Sequence, residues 1–384
     1  MKKVIVTERI PIKMWLGDIE QGALNQGLNL ANLPFAFKHI AIMPDAHQGY
    51  GMPIGGVLAT RRAVIPNAVG VDIGCGMCAV RTDLTDISQE TLKKIMERIR
   101  EAVPVGFKHH AEPQENDFYL PGQFGPIIAQ EEGNIDYQIG TLGGGNHFIE
   151  IQKGSDGNFW IMIHSGSRNL GKKVADFYNK IAVKLNEQWH SSVPKQWELA
   201  FLPMDTPEYK GYLQDMQICV DFALANRKLM MDRITAIFYT ETLCDFESMI
   251  NIAHNYAKME NHFGENVLVH RKGATSAKVG QIGIIPGSQG TKSYVVEGMG
   301  NPESFQSCSH GAGRCMGRKD ATRRLDLKTE IKRLDDQGII HGIRNIDDLD
   351  EAAGAYKDIA VVMENQKDLV KILVELKPVA VIKG

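Results

Sequence analysis

Apolar and polar positions recur along this chain on two different periods, and the switches between them outline a fold. From about residue 40 to residue 81, short apolar and β-branched runs are separated by glycine turns. Val57-Leu-Ala-Thr60 and Cys78-Ala-Val-Arg81 read as strands. Ser88 then stands as an N-cap, and Leu92, Ile95, Met96, Ile99 and Val103 follow at helical spacing, which predicts an amphipathic helix. Residues 106–133 are polar and read as loop. Phe159-Trp-Ile-Met-Ile163 reads as a buried strand that delivers His164 at its end, and Leu170, Val174, Phe177, Ile181 and Leu185 mark a second helix. A longer helix is expected from Pro207, a residue suited to a first turn, toward Thr240. Strand-and-turn chemistry returns over 267–298. Two polar helices are expected near 319–336 and 347–376, and Val379-Ala-Val-Ile382 reads as a last strand. The pattern predicts an α+β fold, one compact domain over 1–384 with a helical insertion at about 170–245.

Composition narrows the class. The 384 residues are 43% hydrophobic and 23% charged, which suits a globular chain with a large core. A net charge of -3 gives no global basic field, so any nucleic-acid contact must use a local patch. Neither a signal peptide nor an 18-residue apolar run is evident, and six cysteines without a secreted spacing fit a reducing compartment, so a cytoplasmic protein without a membrane span is expected. Glycine changes the picture more. There are 38, against a usual share of about 7%, and they cluster where a backbone must turn tightly or approach a ligand.

Candidate metal ligands sit in those clusters. They are Asp72 and Cys75 in Gly70-Val-Asp-Ile-Gly-Cys-Gly76, His147 in Gly143-Gly-Gly-Asn-His147, His164 in Ile161-Met-Ile-His-Ser-Gly166, and His254 in Ile252-Ala-His-Asn-Tyr256. One carboxylate, one thiol and three imidazoles form a mixed hard and soft set that suits a first-row transition metal better than calcium or magnesium. A single histidine in an apolar strand is more often a core residue than a ligand. Burying this many titratable groups without a cation would, however, cost several kcal/mol. Cys75-Gly-Met-Cys78 lacks the second cysteine pair of a structural zinc site and the helix start of a thioredoxin-like one. Pro44-Asp-Ala-His-Gln-Gly49 offers a further Asp/His pair, which an ordinary turn with a capping aspartate explains equally well.

Two small-residue loops, Pro286-Gly-Ser-Gln-Gly290 and His310-Gly-Ala-Gly-Arg314, offer free amides of the kind that cradle phosphates, although neither is a P-loop. A histidine at the mouth of such a loop can attack phosphorus, and an arginine at its end can pair with the phosphate. Cys308 and Cys315 read as small packing residues.

These motifs, in this order, resemble the RtcB family of RNA ligases. The resemblance is carried by Asp72-Ile-Gly-Cys75, Gly140-Thr-Leu-Gly-Gly-Gly-Asn-His-Phe-Ile-Glu150, His164-Ser-Gly-Ser-Arg168, His254-Asn255, Arg271-Lys-Gly-Ala274, Pro286-Gly-Ser288, Ser309-His-Gly-Ala-Gly-Arg314 and the terminal Val-Ile-Lys383-Gly384. It spans essentially the whole chain and implies an RtcB-type fold and GTP- and manganese-dependent joining of RNA 3′-phosphate or 2′,3′-cyclic phosphate ends to 5′-hydroxyl ends, in RNA repair or tRNA splicing. Asp72, Cys75 and His147 would hold one Mn(II), and Cys75, His164 and His254 a second. His310 would attack the α-phosphorus of GTP. Asn146, Asn255, Ser288, Ser293 and the amides of Gly287, Gly311 and Gly313 would hold the nucleotide phosphates and sugar, with Pro286, Gln289, Ala312 and His254 beside them. Phe148, Ile149, Glu150, Tyr356 and Lys383 would surround guanine, and Arg168, Arg271 and Arg314 would face RNA. The resemblance also implies a monomer and an archease-type activator. Gln289 and Tyr50 depart from the methionine and lysine expected there. Both departures fall on the nucleotide and RNA side rather than on the metal ligands, as in a specialised repair paralogue. Two other readings compete: a dinuclear metal phosphodiesterase, which would not need His310 or Lys383, and a non-catalytic RNA-end binding protein.

Overall fold

The computed structural model describes residues 1–120 and 122–384. Two sheets carry the chain. The first runs in the order Lys3–Ile5, Ile12–Met14, Ala36–His47, Ile54–Thr60, Glu265–Lys272, Asn255–His262. Its pairs are antiparallel except that Ile12–Met14 lies parallel to Ala36–His47. The second is antiparallel throughout, in the order Ile250–Ala253, Gly76–Arg81, Phe159–Ser165, Phe148–Gly154, Val370–Lys383, Ser293–Gly298, Ile282–Ile285.

Side chains alternate across the second sheet, because successive residues of a strand face opposite ways. Cys78, Val80, Ile149, Ile161, Ile163 and Ile382 point to one face, where they pack on Leu92, Ile95 and Ile99 of helix Gln89–Ala102 and on Met230, Met231, Ile234 and Phe238 of helix Pro207–Thr242. Met77, Ala79, Phe148, Trp160, Met162 and Leu376 point to the other. The helix caps follow the sequence: the Ser88 hydroxyl accepts from the Thr91 amide at 3.0 Å, and the Thr206 hydroxyl accepts from Tyr209 at 3.3 Å ahead of Pro207. The 170–245 stretch folds as helices Arg168–Gln188 and Pro207–Thr242, but these are not peripheral. The long helix backs the strands that carry the site. Among the described residues no helix is long and apolar enough to cross a membrane.

Three expectations are corrected. The 106–133 segment is not all loop: a helix runs over Pro126–Gln138, started by Pro126 at its first position and buried through Ile128 and Ile135. Two apolar anchors in thirteen residues are too sparse to give a helical period. The helix read over 319–336 is broken into Arg318–Arg324 and Leu327–Asp335, where Asp326 accepts from the Thr329 amide and starts a new helix. The helix read over 347–376 is instead two 3-10 turns, a short helix Ile359–Asn365, and a strand that begins at Val370 and runs to Lys383. That strand is paired on both sides, and pairing overrides the helical preference of its Lys, Leu and Glu residues.

Candidate functional site

One cleft of about 1590 Å³ lies where the ends of the two sheets meet. At its floor the five candidate ligands form two groups that share one thiol: Asp72, Cys75 and His147, and Cys75, His164 and His254. Cys75 Sγ lies 3.4 Å from His147 Nε2 and 3.2 Å from His164 Nε2. His147 Nε2 is 3.3 Å from Asp72 Oδ2, and His164 Nε2 is 3.4 Å from His254 Nε2.

Local backbone sets this convergence. Gly74 has φ of +75°, and a Cβ there would meet Val220 Cα at 2.8 Å, so only glycine lets the Asp72–Cys75 turn lie on the long helix. The turn is tied to the next strand in three places: His254 N donates to Cys75 O at 2.8 Å, Gly74 N donates to Asn255 O at 2.9 Å, and Asn255 Nδ2 donates to Asp72 O at 3.0 Å. His164 and Phe148 are register partners on the face opposite Ile149 and Ile163, which aims the imidazole into the cleft.

The donors fit a cation. His164 Nδ1 is 3.1 Å from the Asn146 carbonyl, so its proton sits there and the Nε2 lone pair faces the cluster. Burial holds the Cys75 thiol well above, and the His164 and His254 imidazoles well below, their ordinary values. Three buried donors with their lone pairs facing one another are relieved by a positive charge. At His147 the contacts conflict. Arg168 Nη1 donates to Nδ1 at 3.3 Å, whereas a ligating Nε2 requires the proton on Nδ1, so Arg168 and a cation favour opposite tautomers.

His310 stands over this floor with its ring 4.8 Å from that of His254. Its Nδ1 lies 2.6 Å from Asp45 Oδ2, which also accepts from the amides of His310 at 3.2 Å and Gly311 at 3.4 Å. A proton on Nδ1 is thereby held by Asp45, and Nε2 is the ring nitrogen turned away from the carboxylate. Burial alone would raise the Asp45 carboxyl, but the His310 and Lys357 charges more than offset it, and the net shift is downward. Gly313, at φ +73°, passes so close to the Asp45 carbonyl that no side chain fits.

The nucleotide-loop candidates divide. Asn146, Phe148, Glu150, Asn255, Pro286, Gly287, Ser288, Gln289, Gly311, Ala312, Gly313, Tyr356 and Lys383 all line the cleft. Ile149 does not, because it occupies the opposite face of its strand and is packed in the core. Ser293 is also interior, accepting from the Gly287 amide and Gln152 at 3.1 Å each, so it supports the loop from behind. Lys383 Nζ lies 5.6 Å from the centre of the Phe148 ring, and burial pushes the neighbouring Glu150 carboxyl up to about 8. Tyr356 gives its hydroxyl to Glu351. Arg318 Nε donates to the same carboxylate at 2.7 Å, and Arg314 Nη1 lies at 2.8 Å as an ion pair without hydrogen-bond alignment. Gln289 Nε2 donates to the Glu351 carbonyl at 3.0 Å.

Arg168 and Arg314 line the cleft, but Arg271 does not. Its guanidinium is fully buried, pairing with Glu260 and donating to Ser307 Oγ at 2.9 Å and Phe305 O at 3.0 Å. The strand alternation brings its neighbour Lys272 to the cleft instead. Lys272 Nζ donates to Tyr50 O at 2.6 Å and Asn67 O at 3.0 Å, and burial pushes it down to about 7. Glu351, Arg318 and Lys272 line the cleft and Asp45 lies buried behind it, and sequence reasoning gave none of the four a role there. Only Asp45 carried a signal, as part of the glycine-flanked Asp/His pair. Cys308 is buried as expected, but Cys315 is exposed beside the cleft, so it is not a packing residue.

A histidine held by a buried carboxylate thus stands over two groups of candidate metal ligands that share one thiol, in a cleft also lined by two small-residue loops. A family model described as "tRNA-splicing ligase RtcB" matches residues 26–124 and 126–384. The chain is 39% identical to the "RNA-splicing ligase RtcB" of Escherichia coli, an alignment covering 100% of this chain and 99% of that protein. It is 32% identical to the "tRNA-splicing ligase RtcB" of Thermococcus kodakarensis, over 94% of this chain and 91% of that protein. The chain belongs to the RtcB family.

Proposed function

We propose that this protein joins an RNA 3′-phosphate or 2′,3′-cyclic phosphate end to a 5′-hydroxyl end, using GTP and two manganese ions. The observation that carries the reading is His310, held by Asp45 with Nε2 free and 4.8 Å ring to ring from a member of the metal cluster. Metal ligation alone would suit a phosphodiesterase. Such an enzyme would not need an imidazole placed to attack phosphorus beside the nucleotide loops, and this favours the ligase.

His310 Nε2 attacks the α-phosphorus of GTP, forming a P–N bond as the bond to the bridging oxygen breaks and pyrophosphate leaves. Asp45 keeps the ring oriented and stabilises the imidazolium that develops. A 2′,3′-cyclic end first adds water, breaking the P–O2′ bond to leave a 3′-phosphate and a 2′-hydroxyl. An oxygen of the RNA 3′-phosphate then displaces His310 from GMP, and the 5′-hydroxyl attacks the activated 3′-phosphorus, releasing GMP and giving up its proton. When bound at the thiol-sharing groups, the metals would polarise phosphate oxygens and offset charge on the entering and leaving atoms. The loops 286–290 and 310–314 line the cleft beside the cluster, with the Gly287 and Gly311 amides taken up by Ser293 and Asp45 rather than left for a phosphate, and Arg168, Arg314 and Arg318 supply cations along the cleft. Glu150 accepts from the N1–H and N2–H edge that guanine has and adenine lacks.

The test is ligation of a 3′-phosphate RNA to a 5′-hydroxyl RNA, followed on a denaturing gel. The account expects a joined product with GTP and manganese, and none when ATP replaces GTP. Equal joining with ATP would overturn the guanine assignment, and no product with either nucleotide would overturn the ligase reading.

A further inference from the structure

The long helix Pro207–Thr242 carries Asn226 and Arg227 in its middle, both fully buried. Neither lines the cleft, yet the pair touches every segment that delivers a metal ligand. Asn226 Oδ1 accepts from the amides of Gly140 at 2.7 Å and Thr141 at 3.1 Å, where the loop to His147 begins. Asn226 Nδ2 donates to Thr141 O at 3.2 Å, Ser165 Oγ at 3.2 Å and Gly166 O at 3.1 Å, directly after His164. Arg227 Nη1 donates to the Ser165 carbonyl at 2.8 Å and to the Gly74 carbonyl at 3.0 Å, one residue before Cys75. Arg227 Nε donates to Asn251 Oδ1 at 2.7 Å, on the strand whose continuation carries His254.

A helix core position is an unusual place for a guanidinium. Burying one without close compensation is costly, and a hydrophobic residue of similar volume would ordinarily serve a core better. Here the charge is spent on carbonyls at the roots of the ligand loops, and Nη2 has no partner at all. The Gly74 and Ser165 carbonyls so held lie directly beside Cys75 and His164 in the chain. Groups that orient ligands from behind commonly matter to metal affinity by roughly 10- to 100-fold.

We infer that Asn226 and Arg227 are positioning residues for the metal centre, a latch on the long helix that holds the Asp72–Cys75, His147, His164 and His254 segments at the spacing two cations need. The inference rests on the dinuclear reading above.

The test is manganese binding by equilibrium titration of the purified full-length chain, with far-UV circular dichroism and thermal melting alongside. Arg227→Lys keeps the charge and removes the fork. Asn251→Ala leaves Arg227 in place and frees its Nε, losing besides only the Asn251 Nδ2 bond to Leu224 O at 3.0 Å, so it decides the matter if Arg227→Lys does not fold. Tyr178→Phe is the control, removing a buried hydrogen bond to Asp215 at 2.9 Å in the same helical layer without touching a ligand loop. The latch predicts manganese affinity weakened roughly 10- to 100-fold in Arg227→Lys and measurably in Asn251→Ala, with helical content retained. Tyr178→Phe is expected to melt earlier and bind manganese as wild type does. Wild-type binding in Asn251→Ala and in any folded Arg227→Lys would overturn the latch, as would equal weakening in Tyr178→Phe. A wild type that binds no manganese is a separate result, which removes the dinuclear reading itself.

Discussion

Asp45 Oδ2 sits 2.6 Å from His310 Nδ1 although 265 residues separate them, and the same oxygen accepts the amides of His310 and Gly311. A carboxylate so placed fixes the ring's tautomer and its direction at once. Asp45→Asn keeps the size but turns an acceptor toward Nδ1 only if the amide flips, and it removes the charge that balances an imidazolium. The rate of GMP transfer to the protein is expected to fall by roughly 100-fold or more, with manganese binding unchanged. Rapid-quench labelling checks this, and an unchanged rate would show that Asp45, in the strand Ala36–His47, only anchors the 310–314 loop.

Cys75 belongs to both ligand groups, so its loss should not resemble the loss of a histidine. Cys75→Ala is expected to bring bound manganese from two ions per chain to less than one. His147→Ala and His254→Ala should each leave about one, since each belongs to a single group. Metal analysis after dialysis distinguishes the cases, and identical stoichiometry in all three variants would rule out a shared thiolate.

Glu150 gives the site a pH dependence with a definite sign. Burial raises its carboxyl from 4.5 to about 8. In the free protein its neutral form is favoured, so its contribution to stability is full below about pH 4.5 and is lost as pH rises toward 8. Guanine recognition needs the charged form, so the sign for binding is the reverse. GTP affinity is expected to rise roughly tenfold per pH unit approaching 8 and to level off above it. Glu150→Gln should abolish both the slope and the preference for GTP over ATP. Fluorescence or calorimetric titration across pH 6.5 to 9 reads this directly, and a flat wild-type profile would remove Glu150 from guanine recognition.

Arg271 is a stability residue rather than an RNA contact. It pairs with Glu260 inside the first sheet, so Arg271→Met would leave that buried carboxylate with His262 alone and cost up to roughly 3–5 kcal/mol. Denaturant unfolding should register that loss. Arg314→Ala, at the cleft, should instead weaken RNA binding and cost less stability, because Arg318 and Tyr356 still hold Glu351, and the opposite pattern would reverse the two assignments.

The clustered candidate ligands were legible in the sequence because histidine, cysteine and aspartate are conspicuous inside apolar, glycine-bounded runs. The strands and helices of the middle of the chain were legible for the same reason of period, as at Phe159–Ser165 and Gln89–Ala102. What failed depended on contacts between distant segments. Asp45 acts on a residue 265 positions away, and nothing in Pro44-Asp-Ala-His-Gln-Gly49 says which loop will close over it. The choice of Arg271 over Lys272 missed by one residue, which on a strand is the whole difference between core and cleft. The strand Val370–Lys383 was hidden by residues that favour helices and declares itself only through partners on both sides. The Asn226–Arg227 pair was invisible because its stretch reads as an ordinary core helix.

The central claim is that His310 is the nucleophile. The most direct measurement incubates the protein with manganese and GTP labelled at the α-phosphate, then separates protein from nucleotide under denaturing conditions. The account predicts an acid-labile label on the wild type and none on His310→Ala, with both proteins binding manganese equally. A wild type that binds manganese but takes no label, or a His310→Ala variant that labels as well, would contradict it.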